Sequence, residues 1–320
     1  MNQSSNPASQ PTPYESDSPA AEWAEQAAKH ALDDLFNATF AYRTSKKYYE
    51  LMQFVKRFRF YSPYNALLIH IQRPGARFVA PASRWKRLYR RHVKPNANPL
   101  VILQPMGPVM FVFDVSDTES GPDSIPLPIE VEKPFEVRRG KIGGELKWTI
   151  ENAKRDGIRI HGQKTGSQAA GSIQSVKGRP PLPPLIFQIG KDKQGNPIYE
   201  EIAVRYELLL NENLSRESRY ATIVHELAHL YCGHLGTPNT KWWPDRRGLS
   251  HVVVEFEAES VTYLVCERLG IDNPSVEYLA NYVKTREDVP SISLECVMKA
   301  AGLIESMGCG RLKPRKKREV

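Results

Sequence analysis

The stretch "YATIVHELAHLYCGHLG", residues 220–236, places two histidines four positions apart, with a glutamate directly after the first. Upstream, Ser215 can cap a helix and Glu217 suits its positive end, while Gly233 and Gly236 can stop it. The stretch is therefore predicted to be a helix that carries both histidines on one face.

These two histidines, His225 and His229, can bind one Zn²⁺ ion from a shared helix face. Glu226 lies between them in sequence and can act as general base toward the water at the metal. A chain of this composition contains H-E-x-x-H by chance with a probability of roughly one or two in a hundred, so the motif alone does not decide the matter. We predict zinc as the cofactor, His225 and His229 as ligands, and Glu226 as the catalytic residue.

A third ligand is expected from the acidic helix "SHVVVEFEAESVTYLVCERLG", residues 250–270. Glu255 and Glu259 share one face of that helix, where two carboxylates are costly without a cation. We assign Glu255 to the zinc and Glu259 to the second ring N–H of a ligand imidazole, although the residues leave the order of these two roles open. Glu257 and Glu267 are expected on a solvated face.

The remaining histidines and cysteines give weaker signals. His234 and His251 lie near the motif in sequence and are expected to be structural or at the surface. Cys232 and Cys266 are expected to be packed thiols rather than ligands. The four cysteines lie far apart without a C-x-x-C pair, so neither a disulfide framework nor a four-thiolate zinc site is predicted.

Positive charge is concentrated in residues 41–100, which hold fourteen lysines and arginines and a single acidic residue, Glu50. Such a field favours a polyanionic partner. Aromatic residues are interleaved with these charges: Tyr42, Tyr48, Tyr49, Phe58, Phe60, Tyr61, Tyr64, Trp85 and Tyr89. Exposed rings could stack unpaired bases while cations track phosphates. The alternative is that the rings form a core and the charges only solvate it.

Strand-like segments precede helical ones in the second half, which favours an α+β fold. We predict strands in "LIFQIG" and "YEEIAVRYELLL", and "YNALLIHIQ" as a buried helix or strand. Helices are predicted at roughly 216–234, 251–269, 275–285 and 293–306. The strand "RYELLL" before the motif helix is expected to be an edge strand that can pair with an extended substrate.

Changes in composition divide the chain into segments. We predict a disordered tail at 1–20, a basic nucleic-acid-binding domain at 21–118, a linker at 119–134, a metal-binding domain at 135–308 and a basic tail at 309–320. No stretch has the ~18 uninterrupted apolar residues of a membrane helix, and the N-terminus lacks an apolar secretory core. A cytoplasmic location without a membrane partner is predicted.

Residues 205–285, with "HELAHLYCGH" followed by "EFEAES", resemble the zincin-type metallopeptidase domain of the ImmA/IrrE class and the C-terminal part of ArdC-like antirestriction proteins. "YSPYNALLIHIQRPGARFVAPASRWKRL" and "VFDVSDTE" resemble the N-terminal ArdC-like domain. The resemblance implies a single-stranded-DNA-binding domain followed by a gluzincin-like domain. This chain reads "YRRHVKPNANPLV" where the family usually has a Gly/Lys-rich turn, so the implied function applies at domain level only.

Two functions follow as hypotheses. The first is a zinc-dependent metallopeptidase joined to a single-stranded-DNA-binding domain, with a regulatory protein, such as one bound to DNA, as its substrate. The second is an antirestriction-type protein that shields DNA and uses zinc only as a structural brace. The intact Glu226 favours the enzyme, because a purely structural zinc site needs no general base.

Overall fold

The structure, a computed structural model, describes residues 42, 44–104, 107–127, 141–164, 171–271, 273, 275–285, 288–312 and 315. The predicted tail 1–20 lies outside these residues, as do residues 128–134 of the predicted linker and most of the basic tail 309–320. None of the described helices is long and apolar enough to cross a membrane.

The first half of the described chain combines short helices with two small antiparallel sheets. Its elements are α1 (Ser45–Arg57), α2 (Pro63–Gln72), β1 (Val79–Ala80), α3 (Ala82–Tyr89), β2 (Arg91–Val93), β3 (Leu100–Gln104), β4 (Gly107–Asp114) and β5 (Thr118–Ser120). The sheet orders are β1-β4-β3 and β2-β5. "YNALLIHIQ" is helical, because Ser62 accepts a hydrogen bond from the Asn65 N–H and Pro63 occupies the first turn.

The second half contains two further sheets and the longer helices. Its elements are α4 (Glu145–Arg155), β6 (Ile158–Gln163), β7 (Gly171–Ser175), β8 (Leu185–Lys191), β9 (Pro197–Ile202), β10 (Tyr206–Asn211), α5 (Arg216–Tyr231), α6 (His251–Leu269), α7 (Ser275–Thr285) and α8 (Leu294–Cys309). The predicted α+β class is confirmed, and the four predicted helices of this half are present. "YEEIAVRYELLL" forms two strands, β9 and β10, which belong to different sheets.

Strand β10 lies in the middle of the sheet β6-β10-β7. It runs parallel to β6 and antiparallel to β7, so both of its edges are occupied. The expectation that this strand is an edge strand open to substrate is therefore wrong. The physical reason is long-range pairing, since β6 and β7 each hydrogen-bond to one edge of the β10 backbone.

One hydrophobic cluster joins the two halves of the described chain. Leu51 and Leu67 from the first half belong to the same cluster as Leu208, Val224 and Leu264 from the second. Helix α1 packs against α6, and the Tyr48 hydroxyl donates to the Ser260 hydroxyl at 2.5 Å. The two predicted domains thus share a core, and the boundary at 118–119 stays a prediction.

Candidate metal centre

Helix α5 carries both histidines of the motif. Its first turn is capped by Ser215, whose side chain accepts a hydrogen bond from the Ser218 N–H. His225 and His229 follow one turn apart, and their Nε2 atoms lie 3.2 Å from each other. Both ring edges therefore point to the same place beside the helix.

Helix α6 packs against α5 and brings two carboxylates to these rings. The Glu255 carboxylate lies 3.6 Å from His225 Nε2 through one oxygen and 3.6 Å from His229 Nε2 through the other. Glu259 lies on the opposite side of the first ring, with an oxygen 3.7 Å from His225 Nδ1. Glu255 thus faces the paired nitrogens, and Glu259 faces the back of one imidazole.

The spacing of the donor atoms fits a tetrahedral ion. Zinc bonds to nitrogen and oxygen of about 2.0–2.1 Å give a regular tetrahedron with edges of about 3.3–3.4 Å. Potential ligand atoms of His225, His229 and Glu255 lie within 4.8 Å of one another, with separations of 3.2 and 3.6 Å between the closest pairs. Two imidazoles and one carboxylate are also the donor types that zinc prefers, so these residues fit a zinc ion with one position left for water.

Charges around the rings are arranged for a cation. Burial alone would lower the pKa of His225, but the nearby carboxylates of Glu255 and Glu259 raise it. Burial lowers the pKa of His229 to about 4, and the charge of His225 acts in the same direction. The nearby His225 imidazole lowers the pKa of Glu255. Two carboxylates beside two imidazoles form a negative pocket.

Glu226 is buried beside this pocket, with 9% of its surface exposed. Burial raises its pKa, while the charge of His225 and a hydrogen bond from the Ile173 backbone N–H oppose the rise. Strand β7 comes this close because Gly171 has no side chain; a Cβ there would collide with the Thr222 methyl group. The carboxylate of Glu226 is therefore held between the motif helix and the outer strand of the sheet.

Glu257 contradicts the prediction of a solvated face, because its side chain is 0% exposed. Arg246 donates to it twice, at 2.6 and 2.7 Å, and the Ser293 backbone N–H donates at 2.7 Å. Burial would raise its pKa, but hydrogen bonds from His234 and these donors lower it. The loop after α5 and the start of α8 cover this side of α6, which the local sequence of the helix does not reveal.

His234 also has a defined place that its sequence position did not indicate. Its Nδ1 lies 3.1 Å from His229 Nδ1, and its Nε2 lies 2.8 Å from the Glu257 carboxylate. His251 is highly exposed, with Nδ1 3.6 Å from a Glu255 oxygen. Tyr278, which sequence reasoning missed, lies near enough to Glu259 and Glu255 that their charges add to the effect of burial and raise its pKa.

Cys232 lies close to His234 and Glu257, so these three residues form a second group with metal-binding geometry. Burial raises the pKa of the Cys232 thiol, which disfavours the thiolate that a metal requires. Glu257 is already held by Arg246 and Ser293. This group does not fit a metal. Cys232 and Cys266 are buried thiols, as predicted.

Most rings of the basic segment belong to the core. Buried side chains among them are Tyr48, Phe58, Tyr64, Trp85 and Tyr89, whereas Tyr49 and Phe60 are exposed. Most of these rings are therefore packed in the core. The expectation that they stack on unpaired bases is wrong for the buried rings. The charges of α3 are exposed, including Arg84, Lys86 and Arg87.

Comparison with models of known protein families finds a match in the second half of the chain. The family model described as the IrrE N-terminal-like domain, Peptidase_M78, matches residues 188–250. This match covers about a fifth of the chain, contains the two motif histidines and Glu226, and ends before Glu255. It supports a metallopeptidase of the ImmA/IrrE type. Searches of the curated proteins and of the solved structures find no match.

Proposed function

We propose that the chain is a zinc-dependent peptidase with a zincin-like site, in which His225, His229 and Glu255 hold the metal and Glu226 is the general base. The observation that carries this proposal is the convergence of two imidazole nitrogens and one carboxylate, with ligand atoms within 4.8 Å of one another. The match of residues 188–250 to a peptidase family supports it independently.

Zinc, when bound, supplies Lewis acidity for the scissile carbonyl and the attacking water. Glu226 takes the proton from that water and passes it to the leaving amine. Burial raises the pKa of Glu226, which makes its carboxylate a better proton acceptor. Glu259 holds the His225 ring through Nδ1, so that Nε2 stays directed at the metal.

The outer edge of β7 is a place where an extended substrate can pair. Val176 donates its N–H to the Arg205 carbonyl, which continues the register of β7 with β10. Backbone groups at alternate positions therefore face β10 at Ser172 and Gln174 and face outward at Gly171, Ile173 and Ser175. A substrate strand on that edge lies beside Glu226, since the Ile173 N–H contacts this carboxylate.

Metal analysis of the full chain tests the proposal directly. About one zinc ion per chain is expected, because three protein ligands and one water complete a catalytic site. His225→Ala and His229→Ala should each release the metal. Full zinc content in both variants would show that the ion binds elsewhere.

We further propose that the basic segment binds single-stranded nucleic acid, supported by the exposed cations of α3 and by Arg90 at its end. A protein substrate on the same DNA, such as a regulator, would then be concentrated near the peptidase site. The test is the salt dependence of single-stranded DNA binding by the full chain. Affinity should fall steeply as the salt concentration rises, and an affinity that does not change with salt concentration would contradict the proposal.

The alternative is a protein that shields DNA and uses zinc as a brace. The two functions differ at Glu226, since a brace needs the ligands but not the base. An intact cellular role in a Glu226→Gln protein would favour shielding over proteolysis.

A further inference from the structure

A chain of three polar side chains runs from the candidate metal ligand His229 into the protein interior. His229 Nδ1 lies 3.1 Å from His234 Nδ1, and His234 Nε2 lies 2.8 Å from a Glu257 oxygen. Its members come from the motif helix, the loop after it and helix α6. The His234 and Glu257 side chains are only 3% and 0% exposed, so water has little access to the contact between them.

The fixed end of this chain is Glu257. Arg246 donates two hydrogen bonds to its carboxylate, and the Ser293 N–H donates a third. A carboxylate held by a guanidinium stays ionised and can only accept, which agrees with the lowered pKa of Glu257. The nitrogen of His234 that faces Glu257 must therefore be the donor.

Hydrogen-bond chemistry then determines the other two rings in turn. A neutral imidazole that donates from Nε2 has its lone pair on Nδ1. In His234 that lone pair faces His229 Nδ1, so His229 donates from Nδ1. The lone pair of His229 is consequently on Nε2, the atom that faces His225 and Glu255.

We propose that His234 is a positioning residue: Glu257 fixes the tautomer of His234, and the His234 Nδ1 acceptor in turn fixes the tautomer in which His229 Nε2 is free to bind zinc. This inference rests on the proposed function, because it takes His229 as a ligand. Ligand histidines commonly donate their second N–H to a carboxylate or carbonyl. His225 meets Glu259 directly, whereas His229 reaches its carboxylate through a second imidazole.

Because His234 lies between Glu257 and His229, the Glu257 carboxylate can both hold nearby elements together and orient His229 through His234. Glu257 joins Arg246, which also donates to the Cys232 carbonyl at the end of the motif helix, and the Ser293 N–H at the start of α8. These contacts occupy the Glu257 carboxylate, and His234 lies between it and His229. His234 therefore links the packing of the loop and of α8 to the orientation of a metal ligand.

Two amide substitutions separate this role from simple packing. The oxygen of asparagine can take the place of histidine Nδ1, and the terminal amide nitrogen of glutamine can take the place of Nε2. His234→Asn thus keeps an acceptor for His229 and loses the donor to Glu257, while His234→Gln does the reverse. Zinc affinity, measured by chelator competition on the full chain, should stay near wild type in His234→Asn and fall ~10–100-fold in His234→Gln.

The reverse order, or equal losses, would overturn the positioning role while the wild-type chain still binds zinc. A wild-type chain that binds no zinc would instead overturn the proposed function. The tautomer can also be observed without any variant, from the ¹⁵N shifts of histidine-labelled, metal-free full-length protein. His229 should carry its proton on Nδ1, and a proton on Nε2 would refute the inference even if both variants fail to fold.

Discussion

Arg268, near the end of helix α6, donates a hydrogen bond from Nη1 to the Val55 carbonyl in helix α1 at 2.7 Å, across 213 positions of sequence. The same guanidinium donates to the carbonyls of Phe58 and Tyr61 and pairs with Glu305 at 2.5 Å. Helix α6 carries Glu255, so this buried arginine connects a candidate zinc ligand's helix to the basic half of the chain.

Arg268→Met should destabilise the full chain by about 3 kcal/mol or more, because it leaves Glu305 and several buried carbonyls without their donor. The measurement is urea unfolding followed by circular dichroism. Arg247→Met is the matched control, since Arg247 pairs with Asp245 at the surface, where solvent screens the ion pair, and its loss should change stability little. Equal losses in the two variants would show that Arg268 does not join the halves.

Two glutamates of α6 should differ in their effect on zinc. Glu255→Ala removes a carboxylate whose two oxygens each face one of the Nε2 atoms, and it should abolish tight binding. Glu259→Ala leaves the ligands intact and should weaken binding by ~10–100-fold. Chelator competition at one pH measures both, and a larger loss in Glu259→Ala would exchange the two roles.

Glu226→Gln should retain zinc and lose peptidase activity by at least ~100-fold, because it removes only the proton transfer. Metal content and unfolding midpoint, measured on the same sample, serve as controls. Substrates can be captured with the inactive variant and then offered to the wild type. Undiminished cleavage by Glu226→Gln would exclude this carboxylate as the base.

Proline substitutions in β7 should show whether its outer edge binds substrate. Ser175→Pro removes an outward N–H other than the one that donates to Glu226, and it should reduce cleavage of peptides while the ladder to β10 survives. Gln174→Pro removes an inward N–H and should lower the unfolding midpoint more. Ser175→Ala controls for the lost side chain while keeping the N–H. If Ser175→Ala and Ser175→Pro cleave equally well, this edge does not bind substrate.

His70 should make stability depend on pH. Burial lowers its pKa to about 4; Glu50 opposes this shift and Arg57 adds to it. The folded chain then binds fewer protons than the unfolded chain, so stability falls as pH drops from about 6.5 toward 4. Between pH 7 and 5, the free energy of unfolding of His70→Leu should fall by about 2 kcal/mol less than that of wild type, as measured by urea unfolding.

Local pattern predicted the helices well, because an apolar face repeats with the helical period and caps mark the ends. The approach of Glu255 and Glu259 to His225 also followed from their shared face. Glu257 could not be placed this way. Its burial depends on contacts with Arg246 and with the start of α8, and the pattern of apolar residues in α6 predicts neither contact.

The positions of β10 and of the rings in the basic segment also depend on tertiary contacts that local sequence does not reveal. The position of β10 within its sheet depends on β7, which pairs with it although β8 and β9 lie between them in the sequence. Alternation of rings and charges fits both a stacking surface and a packed core. Trp85 and Tyr89 are buried because α3 lies against Phe78, a tertiary contact that composition does not specify.

The shared hydrophobic cluster limits how this chain could be cut or recombined. A break at the predicted boundary would expose Leu51 and Leu67 on one fragment and Val224 and Leu264 on the other. Each fragment would then present a large apolar surface to water and tend to aggregate. Exchanging the basic half for that of another protein would require compensating changes across the whole contact between α1 and α6, so the two halves are expected to be inherited together.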